Sequence, residues 1–185
     1  MRKGFFIGLF LTLFALLSAT AQPGTKLGAG AFAGLSFPLL QDDQSQGMEY
    51  GFKGRYGLGS LIVLEPYVSF VKWGEPDPVD GTPLDIEGSK VTSFGLEASL
   101  GNLPGTTGIA PYFVAGVGSY KVKNDDTGYE SSKFGWSAGL GLGIGLSPKF
   151  SLDVRGKAIV APQKEGGSKK AIGATAGINF SFGGK

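Results

Sequence analysis

The sequence contains no histidine and no cysteine. Histidine is the side chain most often used for proton transfer at neutral pH, so Ser-His-Asp, Cys-His and histidine-ligated metal chemistry are all excluded. Without cysteine there is no disulfide, no thiolate metal site and no residue for lipid attachment. Apolar runs long enough to cross a bilayer as a helix are missing too. The pronounced run at residues 5–17 has about a dozen residues, where a transmembrane helix needs about 20. Nor is there a basic excess. Lys and Arg number 17 against 15 Asp and Glu, and Arg2 and Lys3 make up the difference. Beyond them the chain is formally neutral, which leaves no electrostatic case for nucleic-acid binding.

Arg2 and Lys3 stand directly before the apolar run, and Ala19-Thr20-Ala21 follows it. A basic head, a short apolar stretch and an A-x-A sequence form a secretory signal, with cleavage predicted after Ala21. Residues 1–21 are therefore a cleaved signal peptide and residues 22–185 one mature domain.

Glycine is abundant, 33 of 185 residues, or roughly 18% where about 7% is usual. There is no Gly-X-Y period, and Leu, Val, Ile and Phe are too plentiful for a disordered chain. Glycine must sit inside ordered structure.

The ordering period is two. Met48, Tyr50, Phe52, Tyr56 and Leu58 alternate with Glu49, Gly51, Lys53, Arg55 and Gly57. Phe134, Trp136, Ala138, Leu140, Leu142, Ile144 and Leu146 alternate with Gly135, Ser137, Gly139, Gly141, Gly143 and Gly145. Phe150, Leu152 and Val154 stand against Asp153, Arg155 and Lys157, and Ile178, Phe180 and Phe182 against Gly177, Asn179 and Ser181. Four further segments repeat the rule, around residues 27–37, 64–70, 94–100 and 113–117. Eight segments of about ten residues are predicted, the length at which a tilted strand crosses a membrane. Long and short connections alternate between them, as in an outer-membrane barrel, although the turn at residues 101–108 is longer than that pattern prefers. Gly139-x-Gly141-x-Gly143 resembles part of a nucleotide fingerprint, but no helix follows, so these glycines read as strand residues.

Which face is outside follows from volume. The apolar faces carry too many Phe, Leu, Ile and Trp side chains for the narrow interior of an eight-stranded barrel. The glycine-rich faces suit that interior. A turn centred on Pro148 pairs residues summing to 296, placing Gly143 opposite Asp153, Gly141 opposite Arg155 and Gly139 opposite Lys157, so each charged side chain has room inside. A turn centred on Ser60 pairs residues summing to 120 and places Arg55 opposite Glu65. The predicted lumen network is Lys53, Arg55, Arg155 and Lys157 balanced by Glu49, Glu65, Glu97 and Asp153. Outward aromatics form two predicted girdles at the membrane interfaces: Phe37, Tyr50, Phe70, Phe94 and Trp136 near the long loops, and Tyr56, Phe150, Phe180 and Phe182 near the short turns.

Together with the signal peptide, the segments Glu65-Pro66-Tyr67 and Ala110-Pro111-Tyr112-Phe113-Val114-Ala115-Gly116-Val117-Gly118 and the aromatic end Ile178, Phe180, Phe182 resemble the OmpA-like and opacity-protein-like small outer-membrane barrels. The resemblance implies an all-β, eight-stranded antiparallel up-and-down transmembrane barrel in the outer membrane of a Gram-negative-type envelope, with its long loops extracellular. It also implies that the barrel-assembly machinery reads the last strand. No cell-wall-binding domain is read after the barrel.

The expected role is structural or surface-interacting, adhesin-like, in contact with membrane lipid and lipopolysaccharide. A partner would be met through loops 38–47, 73–88, 122–132 and 161–170. The alternatives are a narrow small-solute pore and, below it, an accessory to a secretion or assembly system. No catalysis, cofactor or metal is expected; a Glu65–Glu97 carboxylate pair is the one conceivable catalytic site and reads better as part of a salt bridge. The acidic residues Glu75, Asp77, Asp80, Asp85 and Glu87, and Asp125, Asp126 and Glu130 with Lys123 and Tyr129, could hold divalent cations or meet a basic partner. The final loop, with Lys164, Glu165, Lys169 and Lys170, could reach lipopolysaccharide phosphates.

Overall fold

The computed structural model describes residues 26–39, 45–59, 61–75, 88–101, 108–126, 128–162 and 168–182. They form eight strands: β1 Lys26–Leu39, β2 Gly47–Leu58, β3 Ile62–Lys72, β4 Lys90–Leu100, β5 Gly108–Asn124, β6 Tyr129–Gly145, β7 Phe150–Pro162 and β8 Ser168–Phe182. Each pairs antiparallel with the next, and β8 returns to β1 to close a barrel without an edge.

The two registers deduced from the hairpins are those observed. Gly143, Gly141 and Gly139 of β6 face Asp153, Arg155 and Lys157 of β7. In β2–β3, Tyr50 faces Phe70, Phe52 faces Val68 and Tyr56 faces Leu64. This ladder skips Gly54 and Arg55, beside Pro66, which has no N–H to offer.

Closure fixes every second side chain to the inside. Phe52, Phe134 and Leu140 are each at least 60% exposed, whereas Glu65 is 0% exposed. A contiguous apolar belt of this kind marks a surface that meets something other than water.

The interior accepts large side chains because glycine stands next to them. Phe32 of β1 points inward between its two cross-strand partners, Gly51 and Gly177. A Cβ at Gly51 would lie 2.6 Å from the Phe32 ring and one at Gly177 3.0 Å from its Cβ. Gly141 similarly leaves the space taken by the Tyr112 ring, into which any Cβ would project. Gly141→Val is therefore expected to destabilise the barrel by about 3 kcal/mol, read as loss of the heat-sensitive gel mobility of the folded form. Unchanged mobility and an unchanged urea midpoint would place the Tyr112 ring elsewhere.

Strands extend further at the loop end than the alternation suggests, and three of the expected loops shrink. Of the stretch expected at 38–47, Pro38 and Leu39 belong to β1, pairing with Ala171 and Lys170, and Gly47 opens β2. Residues 122–132 are mostly strand, because β5 and β6 pair continuously as far as Asn124 and Tyr129. Asp125, Asp126 and Gly128 turn, with the Asp126 amide donating to Asn124 Oδ1 at 3.1 Å and Gly128 taking φ 66°. Residues 161–162 and 168–170 likewise belong to β7 and β8. The cause is a reversal of polarity. Above the apolar belt, the outward positions become Lys72, Lys90, Lys121 and Lys123, while the inward ones become Val71, Val91, Tyr120 and Val122. A strand beyond the apolar belt meets water outside and its own neighbours inside. The signal peptide expected at 1–21 lies outside the described residues, as do Asp77, Asp80, Asp85, Glu87, Lys164 and Glu165.

Candidate functional site: a plugged lumen

The eight lumen charges expected from the sequence converge from four strands, β2, β3, β4 and β7. Arg155 of β7 is the hub. Its guanidinium donates to Glu97 Oε2 at 2.8 Å, Glu65 Oε2 at 2.8 Å and Asp153 Oδ2 at 2.7 Å, and its Nε donates to the Tyr112 hydroxyl at 3.2 Å. Lys53 is ion-paired with Glu65 at 3.2 Å and with Asp153, which also accepts from Tyr112. Arg55 holds Glu65 Oε1 from Nε at 3.0 Å. Lys157 donates to Glu97 Oε1 at 3.0 Å and stands 3.8 Å from Glu49. Ser99 and Ser137 donate to Glu65 and Glu97 at 2.9 and 3.3 Å.

Glu65 and Glu97 are direct cross-strand partners in β3 and β4. Two buried carboxylates so placed repel one another unless a cation joins them, and Arg155 does so. Four cations thus stand against four anions. Burying any one alone would cost several kcal/mol, so the layer holds together as a unit. The Arg55–Glu65 contact is present as expected from the hairpin, but the link that organises the layer, Arg155 across the lumen to β3 and β4, does not follow from pairing neighbouring strands. It arises because eight strands enclose a space only about one side chain wide on each side.

The outward aromatics divide. Tyr50, Phe94, Trp136, Phe150 and Phe182 are exposed, and Phe37, Phe70 and Phe180 are half-buried. Tyr50 and Phe70 pair at 5.5 Å between centroids, and Phe180 contacts Phe150 at 5.0 Å and Phe182 at 5.1 Å. Tyr56 departs from this surface. It lies between Leu27 and Leu64 and is only 9% exposed.

Above the ion layer lies a feature absent from the sequence reading. Val71, Trp73, Val91, Tyr120, Val122, Ala161 and Ala171 form a buried apolar cluster inside the loop end of the barrel, with Ile159 and Tyr129 against it. Trp73 Nε1 donates to Ser36 Oγ at 3.1 Å, and the Tyr67 and Tyr120 hydroxyls meet at 3.1 Å. The signal was present: Val71 and Trp73, and Tyr120 and Val122, occupy the parity assigned to the lumen.

At the rim, Asp125 is held by Lys123 and by Lys90 at 2.6 Å, and Lys121 pairs with Glu130 at 2.8 Å. Among the described residues no group of three or more acidic side chains is disposed to hold a metal ion. Hydrogen bonds from Lys123, then Lys90, pull the Asp125 carboxyl down from 3.8 to about 2. A lowered carboxyl favours the folded rim above its ordinary value, and the effect is lost as pH falls through about 2. The expected observation is an Asp125 carboxyl titration by NMR with its midpoint near pH 2; a midpoint at 3.8 or higher would remove both ion pairs.

Residues 7–182 match the model of the outer membrane protein beta-barrel domain family. The chain belongs to that family. It is an integral outer-membrane β-barrel, and its apolar belt is the surface that meets lipid. No curated protein matches it in sequence. Among solved structures it is similar to Neisserial surface protein A (TM-score 0.65, 15% identity, 86% of this chain and 98% of that chain). It is also similar to the N-terminal barrel of Pseudomonas aeruginosa OprF (TM-score 0.57, 17% identity, 86% and 98%) and to OprG from the same organism (TM-score 0.56, 13% identity, 88% and 98%). All share the fold.

Proposed function

We propose that this protein is a sealed outer-membrane barrel with a structural and surface-interacting role, its loop end facing the exterior. The observation that carries the reading is the Arg155 layer, in which one guanidinium is tied to Glu65 and Glu97 across the lumen and to Asp153 beside it. The absence of histidine and cysteine and the commitment of both Glu65 and Glu97 to Arg155 favour a non-catalytic role. Exposed connections on a rigid barrel are the usual carriers of recognition, which supports contact with lipopolysaccharide or another surface partner.

Two measurements test this. The refolded barrel in a planar bilayer is expected to be electrically silent, and discrete single-channel steps would favour the narrow-pore alternative. An epitope placed between Gly81 and Thr82 is expected to be labelled on intact cells. Labelling only after lysis would invert the orientation and remove the surface role.

A further inference from the structure

We propose that the loop-end chamber is a binding site for a small primary amine in its ammonium form, with Glu49 as its counter-charge. This goes beyond the sealed-barrel role and concerns the lumen above the ion layer.

Glu49 lines the cavity and is 1% exposed, yet neither carboxylate oxygen accepts a hydrogen bond. Its nearest cation, Lys157, stands 3.8 Å away and gives its hydrogen bond to Glu97 at 3.0 Å. Buried carboxylate oxygens without donors are costly, so the chamber has an unmet demand for N–H or O–H groups. The walls say which kind. Trp73, Tyr120, Val71 and Val91 supply aromatic and aliphatic surface, and Ser69 and Ser93, bonded to each other at 2.6 Å, retain acceptor capacity. A neutral apolar molecule would fill the walls and leave Glu49 unsatisfied. A hard divalent cation needs about six or more oxygen ligands, where the chamber offers one carboxylate and hydroxyls among apolar side chains. An ammonium head suits both parts: it donates to the carboxylate and rests against ring faces.

The barrel already displays this chemistry at the chamber mouth. The Lys169 ammonium lies over the rings of Trp73 at 6.0 Å and Tyr129 at 5.6 Å. The cavity volume is about 30 Å³, room for about two water molecules, which fits ammonium or methylammonium. A longer alkyl tail would leave through the mouth by displacing Lys169.

The test uses the full mature chain folded in detergent and carrying Trp136→Phe, which leaves Trp73 as the one tryptophan of the two in the sequence. Methylammonium chloride is titrated against sodium chloride at matched ionic strength while Trp73 fluorescence is followed. A saturable change with methylammonium alone is expected. Glu49→Gln is expected to weaken binding by about tenfold or more, the loss of one charged hydrogen bond. Lys169→Met, which removes the competing ammonium, is expected to strengthen it. No saturable response, an affinity unaltered by Glu49→Gln, or equal binding of tetramethylammonium, which has no N–H, would overturn the proposal. Should Glu49→Gln fail to fold, the Lys169→Met arm decides, and an unaltered affinity there overturns it. The readout is independent of conductance, so a barrel that conducts and still binds the amine refutes the seal and leaves this site standing.

Discussion

Replacing Arg155 by alanine is expected to cost about 3–5 kcal/mol of unfolding free energy, the range for removing one partner of a buried ionic group. The loss is large because three carboxylates, Glu65, Glu97 and Asp153, then remain in the lumen with only Lys53, Arg55 and Lys157 near them. Urea unfolding of the barrel in detergent measures it. If the layer is also the seal, the same variant should show discrete conductance steps where the parent is silent. A second variant separates charge from volume. Arg155→Met combined with Glu97→Gln keeps the bulk, leaves three cations against three anions and removes the Glu65–Glu97 repulsion, and should recover most of the lost stability. An Arg155→Ala midpoint equal to that of the parent would show that the layer contributes nothing to holding the barrel together.

Leu140→Arg is expected to cost about 2–4 kcal/mol when unfolding is measured from lipid vesicles, the penalty for arginine near the middle of the bilayer. Leu140 is 69% exposed on β6, between Trp136 and Ile144 on the outward face. The sign is informative. On a protein surface in water the same change would alter stability by about 0.5 kcal/mol or less, in either direction. A neutral result in vesicles would mean that water, not acyl chains, meets this face.

The parts of the fold legible in the sequence are those governed by a short-range rule. Alternation assigns a face, and one well-placed turn assigns every pair in a hairpin, which is why Gly141 and Arg155, or Tyr50 and Phe70, could be matched from the sequence alone. Membership of the charge layer followed from the same parity. Its wiring did not, since Arg155 reaches Glu65 and Glu97 across the lumen. That contact depends on barrel width and side-chain length rather than on spacing along the chain.

The chamber escaped for a related reason. Taking the apolar face as outside holds only within the lipid zone, and Lys72, Lys90 and Lys123 mark where it lapses. These three align across β3, β4 and β5, pointing out, while Val71, Val91 and Val122 align just behind them, pointing in. Ending each segment where the outward face turns polar shortens β5 and β6 and turns Lys169 into a loop residue. In the structure it is a strand residue beside the Trp73 ring. Tyr56 fails differently. Parity places it outward, but Leu27 and Leu64 on either side cover most of it.

The seam between β1 and β8 sets a condition on how the barrel comes into being. Thirteen residue pairs join them, from Leu27 with Phe182 to Leu39 with Lys170, and nearly the whole chain separates the two partners. Until the final strand arrives, both flanks of the sheet are open ladders ready to pair with any other strand. Contacts this distant in sequence form slowly. The unfinished sheet therefore spends its most vulnerable interval waiting for its last fifteen residues, and a lesion in β8 exposes β1 as surely as β7.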